Sequence, residues 1–224
     1  MTVKEIITIL ESQKNPRNIE GMSRFGINTK KAFGISIPVL RNLAKKNRKN
    51  HELAIKLWKT GFHEARILAA FIDDPNLLTE KQMDEWVRDF DSWDVCDQCC
   101  GELFSRTKIA YKKAVQWSKQ KEEFVKRAGF ALIAYLAVHD KKADDKKFVN
   151  LFKHIKRASN DERNYVRKAV NWALRQIGKR NAFLNKEAVK IAGEILLLDT
   201  KSARWIANDA LRELKSESVQ KRLK

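Results

Sequence analysis

Apolar residues recur at steps of three and four along almost the whole chain, which is the spacing of one face of an α-helix. In IITILESQ, for example, Ile6, Ile9 and Leu10 fall on one face, and HELAIKLWKT, TEKQMDEWVRDF, AYKKAVQWSKQ and KKFVNLFKHI repeat the pattern. Only 8 Gly and 3 Pro interrupt the 224 residues. Pro38 stands at the start of SIPVLRNLAKK, where a first helical turn does not need its missing amide hydrogen. The pattern predicts an all-α chain.

A second regularity links several of the predicted helices. A basic residue precedes small and apolar residues in EARILAAFI, VKRAGFALIAYLA, VRKAVNWALRQI and SARWIANDALREL. With the segment around Asp97, these helices recur at roughly 30 to 40 residues, the period of two-helix solenoid repeats of the HEAT kind. We expect a curved right-handed superhelix of such repeats, a single domain over residues 1–224, although the length also allows two small domains. The residues expected to face its concave surface are Arg66, Asp97, Arg127, Lys168 and Arg204.

The charge of the chain points to its class of partner. Lys and Arg number 46 against 28 Asp and Glu, a formal charge of +18 that is spread along the whole sequence. Such an excess of positive charge indicates a polyanionic binding partner. Nucleic acid is favoured over an anionic membrane surface, because the sequence has no basic amphipathic end and no apolar span. A merely soluble, highly charged surface is the alternative. The N-terminus lacks the features of a signal peptide, and three cysteines within five residues form no disulfide framework, so we expect a cytoplasmic protein.

The stretch DSWDVCDQCCGELF, residues 91–104, combines acidic, aromatic and thiol groups. On a helix at about 100° per residue, one sector about 100° wide contains Trp93, Cys96, Asp97, Cys100 and Phe104. Asp97 therefore lies at the edge of an apolar stripe, where a carboxylate needs a cation, hydrogen-bond donors or a cleft. Gly101, one turn further on, leaves room for an approaching group. A buried aspartate that caps a helix or pairs with an arginine is the structural alternative.

The cysteines do not predict a metal site. Cys96 and Cys99 have a ligand spacing, but there is no second such pair, and the four histidines have no paired spacing. The sequence also lacks a phosphate-binding glycine loop, a G-x-S-x-G element and an H-E-x-x-H element. We therefore expect neither a metal nor an organic cofactor.

Most of the six tryptophans are expected to be core anchors, but two differ from the others. Trp93 and Trp172 lie on helices assigned to the concave surface, with Asp97 and Lys168 respectively within one turn. Indole faces beside a carboxylate suit a cation, through the ring quadrupole and direct attraction. In a DNA-binding groove, the natural cationic ligand is an alkylated base.

The chain resembles the DNA alkylation repair glycosylase family of AlkD, which is built from HEAT-like repeats. The resemblance extends over essentially the whole sequence, through FGISIPVLRNLAKK (33–46), HELAIKLWKTGFHEARILAA (51–70), DSWDVCD (91–97), VKRAGF (125–130) and VRKAVNWALRQIGK (166–179). The tryptophan-x-x-x-aspartate element is the most specific of these. The resemblance implies an active-site cleft formed by Trp93, Asp97, Arg127 and Trp172.

The resemblance also implies a function, namely excision of positively charged N3- and N7-alkylpurines, such as 3-methyladenine and 7-methylguanine, from double-stranded DNA. Asp97 would stabilise the oxocarbenium-like sugar, and Arg127 would contact a phosphate. Where the family often has Thr before the proline of its GIxTP element, this chain has Ile37, which removes one hydroxyl that contacts phosphate. The residues expected to hold the DNA backbone are Arg41, Arg66, Lys168, Arg175, Lys179 and Arg204, for which solvated charge is the alternative.

The family implies further expectations about the setting of the protein. These are a bacterial monomer with no obligate protein partner and no membrane association, associated with the nucleoid when it is bound to DNA. Two other readings stay open. One is a HEAT-like module that binds nucleic acid or scaffolds an acidic partner without catalysis, and the other is recognition of branched or distorted DNA without excision.

Overall fold

A computed structural model describes residues 1–223, in which helices are joined by loops and no β-strand occurs. The all-α prediction is confirmed. The helices, numbered in chain order, are α1 (Val3–Ser12), α2 (Pro16–Arg24), α3 (Ile37–Lys45), α4 (His51–Lys59), α5 (His63–Ile72), α6 (Glu80–Arg88), α7 (Trp93–Glu102), α8 (Ala110–Trp117), α9 (Glu123–His139), α10 (Asp145–Ala158), α11 (Asn164–Gly178), α12 (Ala182–Leu196), α13 (Lys201–Leu214) and α14 (Glu217–Leu223). A 3₁₀-helix, Phe104–Arg106, follows α7.

The helices form two compact units, an N-terminal one over residues 1–108 and a C-terminal one that begins at Ile109. In the N-terminal unit, α3, α5 and α7 pack in succession as one layer, and α4 packs against α5. In the C-terminal unit, α9, α11 and α13 form one layer, while α8 packs on α9 and α12 packs on both α11 and α13. Alternate helices therefore share a layer, as the repeat period predicted. The single domain over residues 1–224 stays a prediction.

Local sequence signals account for several helix starts and contacts. The Thr2 side chain and Glu5 form a capping box at the start of α1, and Pro38 lies in the first turn of α3 as predicted. Trp58 of α4 stacks on Trp86 of α6, with ring centroids 4.0 Å apart. Gly129 lets α9 approach the end of α8, because a Cβ at this position would lie 2.4 Å from the Ser118 amide nitrogen.

The predicted functional residues all belong to the two layers of alternate helices. Arg41 is on α3, Arg66 on α5, and Trp93 and Asp97 on α7; Arg127 is on α9, Lys168, Trp172 and Arg175 on α11, Lys179 at the end of α11, and Arg204 on α13. Each unit thus places its share of these residues in one helix layer.

No helix between residues 1 and 223 has the length and apolarity required to cross a membrane.

Candidate functional site

Helix α7 presents the tryptophan and the aspartate of the predicted site one turn apart. Trp93 is its first residue and is partly exposed, and its indole Nε1 donates a hydrogen bond to the Phe25 carbonyl at 3.0 Å. Asp97 is also partly exposed, whereas Val95 and Cys96 between them are fully buried. The helix therefore buries one side and leaves the carboxylate at the border of the core, as the sequence pattern predicted.

The end of α7 differs from the sequence prediction. A continuous helix from residue 93 to residue 104 was expected, but α7 ends at Glu102 because Leu103 leaves helical geometry, with φ −123° and ψ −63°. Phe104 begins the 3₁₀-helix instead and is still fully buried. The apolar face is therefore completed by a change of helix type, and Phe104 is not on the α7 stripe.

The three cysteines of α7 are part of the core. All are free thiols with no exposed surface, and burial, with a smaller effect from Cys96, raises the pKa of the Cys99 thiol well above its usual range. A neutral thiol is a poor nucleophile and a poor metal ligand. Nowhere in residues 1–223 do three or more His, Cys, Asp or Glu side chains gather in a group that could hold a metal ion.

The C-terminal unit carries the other two residues of the predicted cleft on adjacent helices. Arg127 of α9 is only 6% exposed, and its Nη1 donates to the Tyr165 carbonyl of α11 at 2.8 Å. Trp172 of α11 is partly exposed, and Tyr135 meets it edge to face at 5.0 Å between ring centroids. Arg127 thus fixes the start of α11 to α9. Its contact with a DNA phosphate stays a prediction. That Arg127 and Trp172 form one cleft with Trp93 and Asp97 also stays a prediction.

Two arginines of the N-terminal unit that were predicted to contact the DNA backbone already have carboxylate or carbonyl partners within the protein. Arg41 stacks over the Phe71 ring at 4.8 Å and donates to Glu102 at 2.7 Å; Glu102 also accepts from Arg106 at 2.9 Å. Arg66 donates to the Asp89 carbonyl at 3.0 Å and lies over the Trp58 ring at 5.4 Å. A DNA phosphate would have to share Arg41 with Glu102.

The basic residues of the C-terminal unit differ in their pairing. Arg175 and Lys179 both bind Glu213, the lysine at 2.7 Å; burial raises the pKa of this carboxyl, but the two cations outweigh it and leave the pKa below its usual range. Arg204 pairs with Asp199. Lys168 is exposed and forms no ion pair within residues 1–223. Among these four, Lys168 is therefore the cation most open to a new phosphate.

A loop that the sequence prediction missed supports the start of α7. In this loop, residues 25–36, the Phe25 side chain is 74% exposed while its carbonyl binds Trp93. The fully buried Glu64 of α5 accepts from the amides of residues 33, 34 and 35 at 2.9, 2.6 and 3.2 Å. Gly34 is required here because its φ is +78° and a Cβ would meet the Asn15 carbonyl at 2.4 Å. No local sequence signal predicts these contacts, which join residues about 30 positions apart at Glu64 and 68 positions apart at Trp93.

A buried histidine, His63, connects this loop with α7. Its amide donates to the Lys31 carbonyl at 2.8 Å, and its Nε2 lies 2.9 Å from a carboxylate oxygen of Asp94. Burial lowers the pKa of His63, but the hydrogen bond and charge of Asp94, with help from Glu64 and Asp91, outweigh it and leave the pKa raised. His63, through Asp94, and Phe25, through Trp93, therefore each hold the first turn of α7.

Comparisons with known proteins agree with this architecture. Residues 6–214 match the model of a protein family described as DNA alkylation repair enzyme. Two curated relatives are the uncharacterized proteins Lmo0209 of Listeria monocytogenes and Lin0241 of Listeria innocua, which are 22% and 21% identical over 199 residues, 87% of this chain and 87% of each relative.

A solved structure shares the fold with a TM-score of 0.79 and 24% sequence identity, over 87% of this chain and 83% of the other. That structure represents a new family of proteins related to the HEAT-like repeat DNA glycosylases, with affinity for branched DNA structures. The likeness shows a HEAT-like repeat fold, and the fold class expected from the repeat period is confirmed.

Proposed function

This chain belongs to the DNA alkylation repair enzyme family, and from this premise we propose that it is a DNA glycosylase. Its substrates are positively charged N3- and N7-alkylated purines in double-stranded DNA, such as 3-methyladenine and 7-methylguanine. The reaction hydrolyses the N-glycosidic bond, so that a water oxygen joins C1′ of the sugar, the free base leaves and an abasic site remains. The formal charge of +18 supports a polyanionic substrate.

Alkylation itself supplies much of the driving force for base loss. An N3- or N7-alkylated purine is cationic and leaves as a neutral base, so it needs no general acid to protonate it. As the glycosidic bond stretches, positive charge moves from the base onto the sugar. A carboxylate close to that sugar stabilises the transition state more than the ground state, which is the condition for catalysis.

Asp97 is the carboxylate that we assign to this role. It is partly exposed at the edge of the buried face of α7, so it can meet solvent and a sugar while the surrounding low-dielectric core strengthens its field. It also orients the attacking water. Trp93, one turn earlier, packs against the deoxyribose or adjacent backbone and excludes bulk water.

The C-terminal unit contributes Trp172 and Arg127. Trp172 has a partly exposed indole, held edge to face by Tyr135, and offers a second ring face to the cationic nucleotide. Arg127 keeps one donor on the Tyr165 carbonyl, and its role is to set the position of α11 and to interact with a phosphate near the lesion. Selectivity on this account comes from the lability of the cationic base, with the lesion largely stacked in the duplex as the family implies.

The observation that carries the proposal is the partly exposed Asp97 beside Trp93 in a chain of this family and this charge. A surface that only binds phosphates gains nothing from a carboxylate, which repels them. A surface that stabilises a developing sugar cation requires one.

Single-turnover release of 7-methylguanine from a defined duplex tests the assignment, with Asp97→Asn compared against the native chain. Glu52→Gln is the matched control, since it removes the same charge at a side chain that is 85% exposed on α4. We expect Asp97→Asn to slow excision at least about a hundredfold while duplex affinity is unchanged or slightly tighter, because one repulsive charge is lost. Equal rates for the two variants would remove Asp97 from the mechanism.

A second candidate function is recognition of branched DNA without excision. It is favoured by the solved relative of the same fold, which is described as having affinity for branched DNA structures. If the native chain binds a four-way junction far more tightly than duplex and releases no alkylpurine from either, this second function replaces the first.

A further inference from the structure

A cavity of about 260 Å³ lies in the N-terminal unit, beneath the loop that supports Trp93. Three of the side chains that line it are cationic, Lys30, Lys31 and Arg66, and one is a carboxylate, Asp91. Asp91 already accepts a hydrogen bond from Asn28 at 2.7 Å and lies 3.8 Å from Arg66. Arg66 also lies 4.0 Å from the Asp89 carboxylate, so the positive charge left for a ligand is that of the two lysines.

The two lysines are available to an outside anion. Both are exposed, and neither forms an ion pair with a carboxylate in the part of the chain that the structure describes. A Cβ built on Gly61 would lie 3.5 Å from the Lys31 Nζ, so this ammonium group lies over the glycine. Gly61 itself has φ +72°, a conformation that side-chain-bearing residues rarely adopt. The backbone here leaves space that a larger residue would fill.

His63 adds a buried polar atom to the same cavity. The residue is 6% exposed and lines the cavity, and its Nε2 is engaged by Asp94. Its other ring nitrogen, Nδ1, is buried and has no hydrogen-bond partner within residues 1–223. Buried polar atoms are nearly always paired in native proteins. His63 therefore makes the inner wall of the cavity polar.

The cavity is joined to Trp93 by covalent and hydrogen-bonded links. Asp91 precedes Trp93 by two residues, and Asp94, which holds His63, follows it directly. Phe25, whose carbonyl binds the Trp93 indole, precedes the cavity residue Asn28 by three positions. An anion in the cavity would therefore be held close to whatever packs against Trp93.

We propose that this cavity is a phosphate subsite that takes one backbone phosphate of the DNA strand lying against Trp93. The inference rests on the proposed function, since that function places DNA beside Trp93. Lys30 and Lys31 contact the phosphate from the exposed side, and Arg66 and His63 line the inner wall. The exposed Phe25, whose carbonyl binds the Trp93 indole, packs on the adjoining sugar or base. This subsite fixes the register of the strand relative to Asp97, one turn beyond Trp93.

The first test compares two double variants that remove equal charge. The first double variant, Lys30→Gln with Lys31→Gln, removes the two ammonium groups at the cavity. The control, Lys141→Gln with Lys142→Gln, removes the same charge at two adjacent exposed lysines of the C-terminal unit. Duplex affinity is measured by fluorescence anisotropy over a series of salt concentrations. We expect the first variant to bind about tenfold more weakly, with a salt dependence shallower by about one phosphate contact, and the second to stay close to native.

The second test locates the phosphate on the DNA. Uncharged methylphosphonate linkages are placed one at a time along the strand in a duplex, and each duplex is titrated with native chain and with the Lys30, Lys31 double variant. One linkage should weaken native binding and leave the variant unchanged, because the variant has already lost that contact.

The outcomes separate this proposal from the proposed function. If both double variants weaken binding equally, or if no linkage shows coupling while the native chain still binds and excises, the subsite is wrong and the glycosylase assignment stands. If inorganic phosphate binds the native chain but not the variant, and does not displace duplex from the native chain at matched ionic strength, the ligand is free phosphate and the DNA assignment of the cavity is overturned. If the native chain binds no duplex, both proposals fail.

Discussion

Asp161 provides the most quantitative prediction, because its carboxylate and backbone carbonyl together join three helices of the layer that contains Arg127 and Trp172. It accepts from Arg163 through Nε at 2.8 Å and Nη2 at 2.6 Å, and from Lys126 of α9 at 3.0 Å. Its carbonyl accepts from the Ser202 hydroxyl at the start of α13 at 2.8 Å. Arg163 is the N-cap residue of α11. The cluster therefore sets the starts of α11 and α13 against α9.

The magnitude follows from the pKa of Asp161. Burial raises this pKa, but the bonds from Arg163 and Lys126 outweigh it and lower it from 3.8 to about 2. At about 1.36 kcal/mol per pKa unit, this difference corresponds to about 2 kcal/mol. Water reaches part of the cluster, where Arg163 is 37% exposed, so solvent screening reduces the expected contribution to ~1 kcal/mol.

The pH dependence has a definite sign. Because the pKa is lower in the folded chain than in the unfolded one, the stabilisation is present above pH 3.8 and is lost as the pH falls through about 2. Urea unfolding of native chain and Asp161→Asn should therefore differ by ~1 kcal/mol at pH 7, with only about half of that difference left at pH 3. Glu52→Gln is the control for loss of a negative charge.

Two results would refute this reasoning. One is a variant that is as stable as the native chain at pH 7, and the other is a stability difference that does not change between pH 7 and pH 3. A double-mutant cycle with Arg163→Gln identifies the partner, since the Asp161 effect should largely disappear once Arg163 has been replaced.

Three further predictions concern the N-terminal unit. Glu102→Gln frees its two arginine partners, so duplex affinity should rise roughly fivefold with a steeper salt dependence in anisotropy titrations; unchanged or weaker binding would show that these arginines do not meet DNA. The three cysteines are buried and the pKa of Cys99 is raised, so iodoacetamide at about pH 8 should label none of them in the folded chain and all of them in denaturant, as read by mass spectrometry. Because the pKa of His63 is raised above 6.5 in the folded chain, its bond with Asp94 stabilises fully below that pH and fades as the pH rises through the folded value. The stability lost in His63→Gln should therefore be smaller at about pH 9 than at about pH 6 in urea unfolding, and an equal loss would contradict the pairing.

The helices that could be predicted from the sequence are those with a regular apolar stripe or a clear end signal. Pro38 marked the first turn of α3, and the stripe of Ile6 and Leu10 marked α1, whose two buried residues they are. Helix α2, Pro16–Arg24, contains no buried residue, and Ile19 and Met22 are too few apolar residues to mark a buried side. Apolar periodicity reports which side of a helix is buried, and it is silent where no side is buried.

In the candidate site too, features that depend on one helix could be predicted from the sequence, and features that depend on distant segments could not. The border position of Asp97 followed from 100° steps along α7, because it depends only on neighbours within one helix. The loop over residues 25–36 depends on contacts between distant segments, such as the Glu64 carboxylate on three backbone amides and Trp93 on the Phe25 carbonyl. Nothing in the local sequence distinguishes Glu64 from a solvated helix glutamate, and the same holds for the partners of Arg41 and Arg175.

The measurement that tests the central claim most directly compares a cationic with a neutral lesion in otherwise identical duplexes. Free-base release by the native chain is followed for 7-methylguanine and for hypoxanthine, each against its spontaneous rate. Catalysis through the lability of a cationic base predicts 7-methylguanine release far above the spontaneous rate and no detectable release of hypoxanthine. Failure to exceed spontaneous loss of 7-methylguanine, with duplex binding intact, would contradict the account, as would equal excision of both bases.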